Sequence, residues 1–182
     1  MKLWENRKLA WAVLALAVAL TVLFSCAAGL RRERSHALDT FYEGTQGDGL
    51  SAYNDLQKRA ECAYNLLTLA TKYNRNDTEG ARALTAARRA LLDAQTIAEM
   101  AEANRALTEA ASLIYSENDS YGMTEQDDRL FERQITEIIS RGETISHNDY
   151  DPQAERFNKR LSGFPRGVVS ALMGIEPLDR IK

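Results

Sequence analysis

With two histidines and two cysteines in 182 residues, any metal or acid–base site must draw on a short inventory. His147 offers the densest cluster, with Glu143 one helical turn before it and Asp149 and Asp151 just after. A helix places residues i and i+4 on one face, so Glu143 and His147 can meet. A di-iron bundle, however, needs Glu-x-x-His pairs from two helices. Neither that spacing nor its repetition is present, and the cluster reads as solvated charge beside a kink. Cys62 falls on an apolar face with no histidine near it in sequence, and no glycine-flanked serine motif occurs. No catalytic residue, metal or cofactor is expected, and the chain does not read as an enzyme.

Two loops imitate ligand sites. Gly44-Thr45-Gln46-Gly47-Asp48-Gly49 resembles a phosphate cradle only in its glycines. No strand precedes it, no lysine follows where a phosphate would need one, and Asp48 repels anions. Asn74-Arg75-Asn76-Asp77 has the polar look of a calcium loop, but Thr85 stands where the bidentate glutamate belongs. Asn76-Asp77-Thr78 and Asn118-Asp119-Ser120 are formal glycosylation sequons, relevant only in a eukaryotic secretory setting. Cys26 closes a Leu23-Phe24-Ser25-Cys26 stretch that loosely resembles a lipoprotein lipobox, so lipidation at Cys26 stands as the alternative to a plain residue within a span. With Cys26 in a bilayer and Cys62 in the body, the two cannot form a disulfide.

Aromatic–Asn pairs recur: Tyr53-Asn54, Tyr64-Asn65, Tyr73-Asn74 and Phe157-Asn158, joined by Tyr150 near the kink. Two readings are open. These nine residues line a polar interaction groove, or they supply packing and interhelical hydrogen bonds that set helix register.

The elements that must carry these residues begin with an uncharged apolar run, Leu9 to Leu30. As a helix it extends roughly 33 Å at about 1.5 Å per residue, against a hydrocarbon core of about 30 Å. It predicts a single-pass membrane anchor. A cleaved signal has the same basic-then-apolar layout but a shorter run. Lys2, Arg7 and Lys8 precede it and Arg31, Arg32 and Arg34 follow, so positive charge barely orients it. The signal-like layout favours an extracytoplasmic body. Apolar spacing through Ala37, Leu38, Phe41 and Tyr42 continues the helix as a stalk to about Glu43, where the glycine-rich turn stops it.

The body reads as all-α. Tyr53, Leu56, Ala60, Ala63, Leu67, Ala70 and Asn74 follow alternating spacings of three and four, a heptad seam capped by Ser51. A second row, Cys62, Leu66, Leu69 and Tyr73, widens that face, so the helix touches more than one neighbour. Helical spacing resumes from Thr78 through Leu84, Ala87, Leu91 and Ala94, then breaks near Gln95-Thr96-Ile97. It continues through Met100, Asn104, Leu107, Ala111 and Ile114. A last long helix, capped by Thr124, carries Phe131, Ile135, Ile138, Gly142 and Ile145 with Ile139 alongside. Pro152 breaks it, and Asp151 is the expected cap of a restart whose face runs through Phe157, Leu161 and Phe164. Val168, Val169, Leu172, Met173 and Ile175 predict a short C-terminal helix folded against the bundle end, followed by a frayed tail.

The predicted organisation is an N-terminal tail and transmembrane anchor (1–30), a stalk helix and glycine-rich turn (31–49), an antiparallel three- to four-helix bundle with heptad-like seams (50–164), and a C-terminal short helix and tail (165–182). A net charge of −3 provides no basic field for nucleic acid.

Leu56-Gln57-Lys58-Arg59-Ala60-Glu61, Asn65-Leu66-Leu67 and Tyr73 resemble the first bundle-helix motif of the LemA family. Phe131, Ile135, Glu143 and Ile145 resemble its last long helix. Tyr150, Phe157-Asn158, Phe164-Pro165 and Gly174-Ile175 resemble its closing Tyr-Asn and Phe-Pro positions. Tyr64 stands where the family pattern has proline, and Pro152 interrupts a stretch usually helical. The resemblance implies a membrane-anchored antiparallel bundle in the bacterial envelope and brings no established catalytic residues. The expected function is that of an interaction or scaffolding module at the cell membrane, with the lipid bilayer, an envelope protein and a second copy as candidate partners. The alternative is a sensor whose bundle binds a small ligand and relays a helix shift through the stalk.

Overall fold

The computed structural model describes residues 7–45, 47, 49–118 and 121–182. Gln46, Asp48 and the second sequon's Asp119 and Ser120 lie outside the described residues, as do Lys2 and Trp4. The described residues form seven helices: α1 (Arg7–Glu43), α2 (Ala52–Lys72), α3 (Glu79–Asp93), α4 (Ile97–Ser116), α5 (Glu125–Ser146), α6 (Tyr150–Leu161) and α7 (Arg166–Met173). The chain divides into two compact units. One comprises residues up to Ala37 together with Ala154–Leu178, the other Leu38–Gln153 with Asp179–Lys182.

In the first unit, the apolar run and its polar continuation are one uninterrupted helix, long and apolar enough to cross a membrane. Only 11 % of its most apolar stretch is buried, so α1 is not the core helix of a soluble domain. Toward the end of the run Ala27 and Leu30 are covered, and Glu33 accepts a hydrogen bond from Arg160 of α6 at 2.7 Å. Phe157, Val169 and Ile175 are buried. Asn158 makes a reciprocal pair with the backbone of Leu178, donating to its carbonyl and accepting from its N–H, each at 2.8 Å.

The second unit is a four-helix bundle in which α2 packs against α3 and α5, α3 against α4, and α4 against α5. Cross-links between α2 and α5 run in opposite residue order: Asp55 with Arg141, Asn65 with Gln134, Tyr73 with Asp127. These helices are therefore antiparallel. Each start is built locally. Ser51, Thr78, Thr96 and Thr124 accept the backbone N–H three residues on, an N-cap worth about 1 kcal/mol each. Glu99 bonds back to the Thr96 N–H at 3.1 Å, completing a capping box at the break between α3 and α4. The heptad rows point inward. Leu56, Ala63, Leu84, Leu107, Ile114, Phe131 and Ile138 have no accessible surface, and burying a large aliphatic or aromatic side chain contributes about 1.5–3 kcal/mol. The glycine-rich turn ends α1 because Gly44 and Gly49 take φ of 88° and 77°, which side chains resist.

Three expectations need correction. α6 starts at Tyr150, capped by Asn148, whose Oδ1 accepts the Asp151 N–H at 2.8 Å. Asp151 is instead buried, and its carboxylate accepts from the backbone of Ile181 at 2.9 Å and Lys182 at 3.2 Å. The tail is thus held rather than frayed. Finally, Phe164 does not extend the apolar face of α6; that helix ends at Leu161, so the i+3, i+4 row no longer applies and Phe164 is exposed.

Candidate functional site

A groove of about 420 Å³ lies where the end of the bundle meets the α1–α2 turn. Thr40 comes from the last turns of α1, Thr45 and Leu50 from the glycine-rich turn, Ser51 and Asp55 from the start of α2. Glu137, Ser140, Arg141 and Thr144 face it from α5, and His147 to Tyr150 from the α5–α6 connection. Each wall is fixed by its own bonds. Ser51 Oγ, besides capping α2, donates to the Tyr42 carbonyl at 3.0 Å, and Asn54 Nδ2 donates to the Gly49 carbonyl at 3.0 Å. Behind the groove the Tyr150 and Phe41 rings meet edge to face, 5.1 Å between centroids.

Electrostatically the groove is organised by Arg141. Its Nε donates to Glu137 at 2.6 Å and its Nη1 to Asp55 at 2.6 Å, giving a carboxylate–guanidinium–carboxylate row across α5 and α2. Burial works against the guanidinium charge, but the bonds to Asp55 and Glu137 outweigh it and hold its pKa above the ordinary value. Thr45 donates to the Asp149 carboxylate at 2.8 Å. Leu50 stands at the rim, 81 % exposed.

The His147 cluster disperses. Asp151 turns to the tail and Asp149 to Thr45, while His147 Nδ1 lies 2.9 Å from the Glu143 carbonyl and 2.9 Å from Ser146 Oγ. Ser146 in turn donates to the same carbonyl at 2.8 Å. The pair closes the end of α5 and is not arranged for proton transfer from serine to imidazole. Among the described residues, no three His, Cys, Asp or Glu side chains converge as metal ligands. Cys62 is buried, which raises its thiol pKa.

The aromatic–Asn residues are distributed over the fold. Tyr150 lines the groove; the other eight do not. Tyr53 stacks near Phe41 and Tyr42, and Asn54 ties the turn before α2. Tyr64 is exposed beneath the Arg88 guanidinium, 5.1 Å from the ring centroid. Asn65 donates to Gln134 at 3.1 Å. The Tyr73 hydroxyl donates to Asp127 and accepts the Thr124 N–H at 3.1 Å. Asn74, at φ 55°, ends α2. Tyr150 donates to the Asp179 carbonyl at 2.5 Å. Phe157 is buried, and Asn158 holds the Leu178 backbone in the first unit. Cys26 is half-buried on α1 with a free thiol.

The sequence pattern passes over the row of Asp55, Glu137 and Arg141, in which Asp55 and Arg141 lie 86 positions apart. It also passes over Arg59, 1 % exposed, whose guanidinium donates to the Asn104 side chain and to Thr108 Oγ1 at 2.7 Å. Arg59 Nε finds no acceptor among the described residues. One signal was present: Arg59 precedes Cys62 by three, in line with the second row of the α2 face.

A family model described as the LemA family matches residues 51–182, from the cap of α2 onward. No curated protein and no solved structure matches the chain.

Proposed function

The chain belongs to the LemA family, and on that premise we propose that it is a membrane-anchored bundle acting as an interaction module at the cell envelope. It engages a partner protein through the end groove and performs no catalysis. The observation that carries this reading is the combination of a highly exposed Leu50 with a polar row already locked in place by Arg141. An apolar anchor beside satisfied, preorganised polar groups is the make-up of a docking surface, where little side-chain freedom remains to be lost on binding. α1 supplies the anchor, the body lies on the extracytoplasmic side, and a second copy of the chain is among the partners the groove would admit. The exposed Tyr64 and the other Tyr and Asn positions on α2 extend the surface available to a partner.

A second reading rests on the groove's size: about 420 Å³ falls within the range of small-ligand pockets. Thr40, in its wall, belongs to the same helix as the apolar run, so a bound ligand would touch the element that enters the membrane.

A photocrosslinking residue placed at Leu50 in native membranes tests both. The first reading expects one discrete adduct at Leu50 and none from the same residue at Arg89, an exposed site on α3. Absence of an adduct, together with a raised melting temperature of the full chain in the presence of a small polar compound, would replace the first reading with the second. Absence of both overturns both.

A further inference from the structure

Resting on the membrane-anchor reading, we propose that α7 is an interfacial helix that docks its outer face on the bilayer surface beside the point where α1 emerges. Val168 and Leu172 stand one turn apart on one face of α7 and are 54 % and 67 % exposed, and Phe164, in the turn just before the helix, is 90 % exposed. The opposite face is used: Val169 and Ser170 of α7, and Ile175 just beyond it, are buried. A helix that buries one side while leaving a valine and a leucine exposed on the other, beside an exposed phenylalanine at its start, has an unfilled contact.

Three observations name the bilayer as its occupant. First, Ala27 and Leu30, inside the apolar run, are each 2 % exposed. The same compact unit also contains Ala154–Leu178, the segment that holds α7. Second, Arg160 is tied at 2.7 Å to Glu33, three residues past the run and about 4.5 Å along the axis. This fixes the end of α6 at the depth of the lipid headgroups, and α7 begins six residues later in sequence. Third, the stretch from Arg156 to Ile175 carries Arg156, Lys159, Arg160 and Arg166 and no acid, in a chain whose net charge is −3. Arg31, Arg32 and Arg34 add to it from α1. Basic residues around an apolar face are what anionic headgroups and acyl chains together attract.

The test uses the full chain, with both native cysteines replaced by alanine, in vesicles of phosphatidylcholine and phosphatidylglycerol. A nitroxide is attached in turn at Val168→Cys, at Val18→Cys within the run, and at Glu109→Cys on the exposed face of α4. The proposal expects labels at positions 18 and 168 to collide more with oxygen than with a water-soluble nickel chelate, and the label at 109 to do the reverse. Protection at 18 with water exposure at 168 overturns the docking of α7 and leaves the anchor standing. Water exposure at both sites overturns the anchor and the docking with it. Spin–spin broadening at 168, with both relaxants excluded, assigns the face to a second copy of the chain and likewise overturns the proposal.

Discussion

Arg59 on α2 and Gly142 on α5 face each other across the bundle core, and a Cβ added to Gly142 would stand 3.4 Å from the Arg59 guanidinium carbon. The seam of α5 thus omits a side chain at the level where α2 inserts its largest buried one. Burial pushes the Arg59 pKa down to about 10, still high enough to keep the charge at neutral pH. Its acceptors, Asn104 and Thr108, are neutral groups on α4. One cation ties α2 to α4 at the level where α5 leaves room for it.

Removing an acceptor should therefore hurt more than removing the cation. Asn104→Ala strands a buried charge with fewer partners and is expected to cost about 2 kcal/mol or more. Arg59→Met replaces charge by apolar volume and is expected to stay within about 1 kcal/mol of the native stability. Thermal unfolding of the full chain in detergent should rank the variants in that order, with the double variant no worse than Asn104→Ala. Equal losses for both single variants would show that the Arg59–Asn104 bond is the stabilising quantity itself.

Gly80 marks the closest approach of α3 to α4. A Cβ there would lie 2.5 Å from Ile114 Cα and 2.6 Å from its nitrogen, backbone atoms that cannot rotate away. The Gly80 N–H also donates to Glu117 at 2.9 Å. Gly80→Ala gains helix propensity of about 1 kcal/mol but forces the helices apart, so a net loss of about 2–3 kcal/mol is expected. A melting temperature at or above the native one would mean that α3 and α4 slide without cost.

The pH response centres on Asp127, which accepts from Lys72 at 2.5 Å, from Tyr73 and from Thr124 at 3.1 Å. The Lys72 bond, then the Tyr73 bond, holds its pKa below the ordinary 3.8. A carboxyl whose folded pKa is depressed contributes stability above its unfolded value, and that contribution disappears as pH falls through the folded one. Conversely, the bond to Asp127 raises the Lys72 pKa above 10.5, so its contribution is present below that value and fades as pH climbs beyond. Asp127→Asn is expected to flatten the stability profile below about pH 4 relative to the native chain. Unchanged acid slopes in denaturant titrations would remove Asp127 from the explanation.

These variants separate what was legible in the sequence from what was not. Ser51 and Thr124 announced helix starts because a cap is a local device, settled within three residues of chain, whereas near Thr96 only a break was legible. The continuity of α1 to Glu43 was equally local. Arg59 stood three residues before Cys62, in line with the second row of α2, yet a basic side chain reads as solvated until Asn104, Thr108 and Gly142 are brought around it from two other helices. Asp55 and Arg141 share the groove only through the antiparallel pairing of α2 and α5. The aromatic–Asn pairs show the same limit: Tyr64 is exposed while Tyr53 is half-buried against Phe41 and Tyr42, and nothing within either pair distinguishes them. Asn148 and Asp151 both had the chemistry of a cap for α6; the backbone of Ile181 and Lys182 draws Asp151 elsewhere.

That competition supplies the last prediction. Asp151 is buried, and its two oxygens take the N–H groups of Ile181 and Lys182. Ile181 is itself buried, and Tyr150 donates to Asp179 nearby. Asp151→Ala leaves two backbone donors without an acceptor in a place water reaches poorly, for an expected loss of about 2–3 kcal/mol. Asp151→Asn retains one carbonyl oxygen but turns an amine toward the second donor, so its loss should be comparable. The local signature is amide hydrogen exchange. Ile181 should lose protection in both variants while Leu66 and Leu107, deep in the bundle, keep theirs. Uniform loss across all three would mean that the clamp on the tail is part of the bundle's global stability, and full retention at Ile181 would show that the tail is held without Asp151.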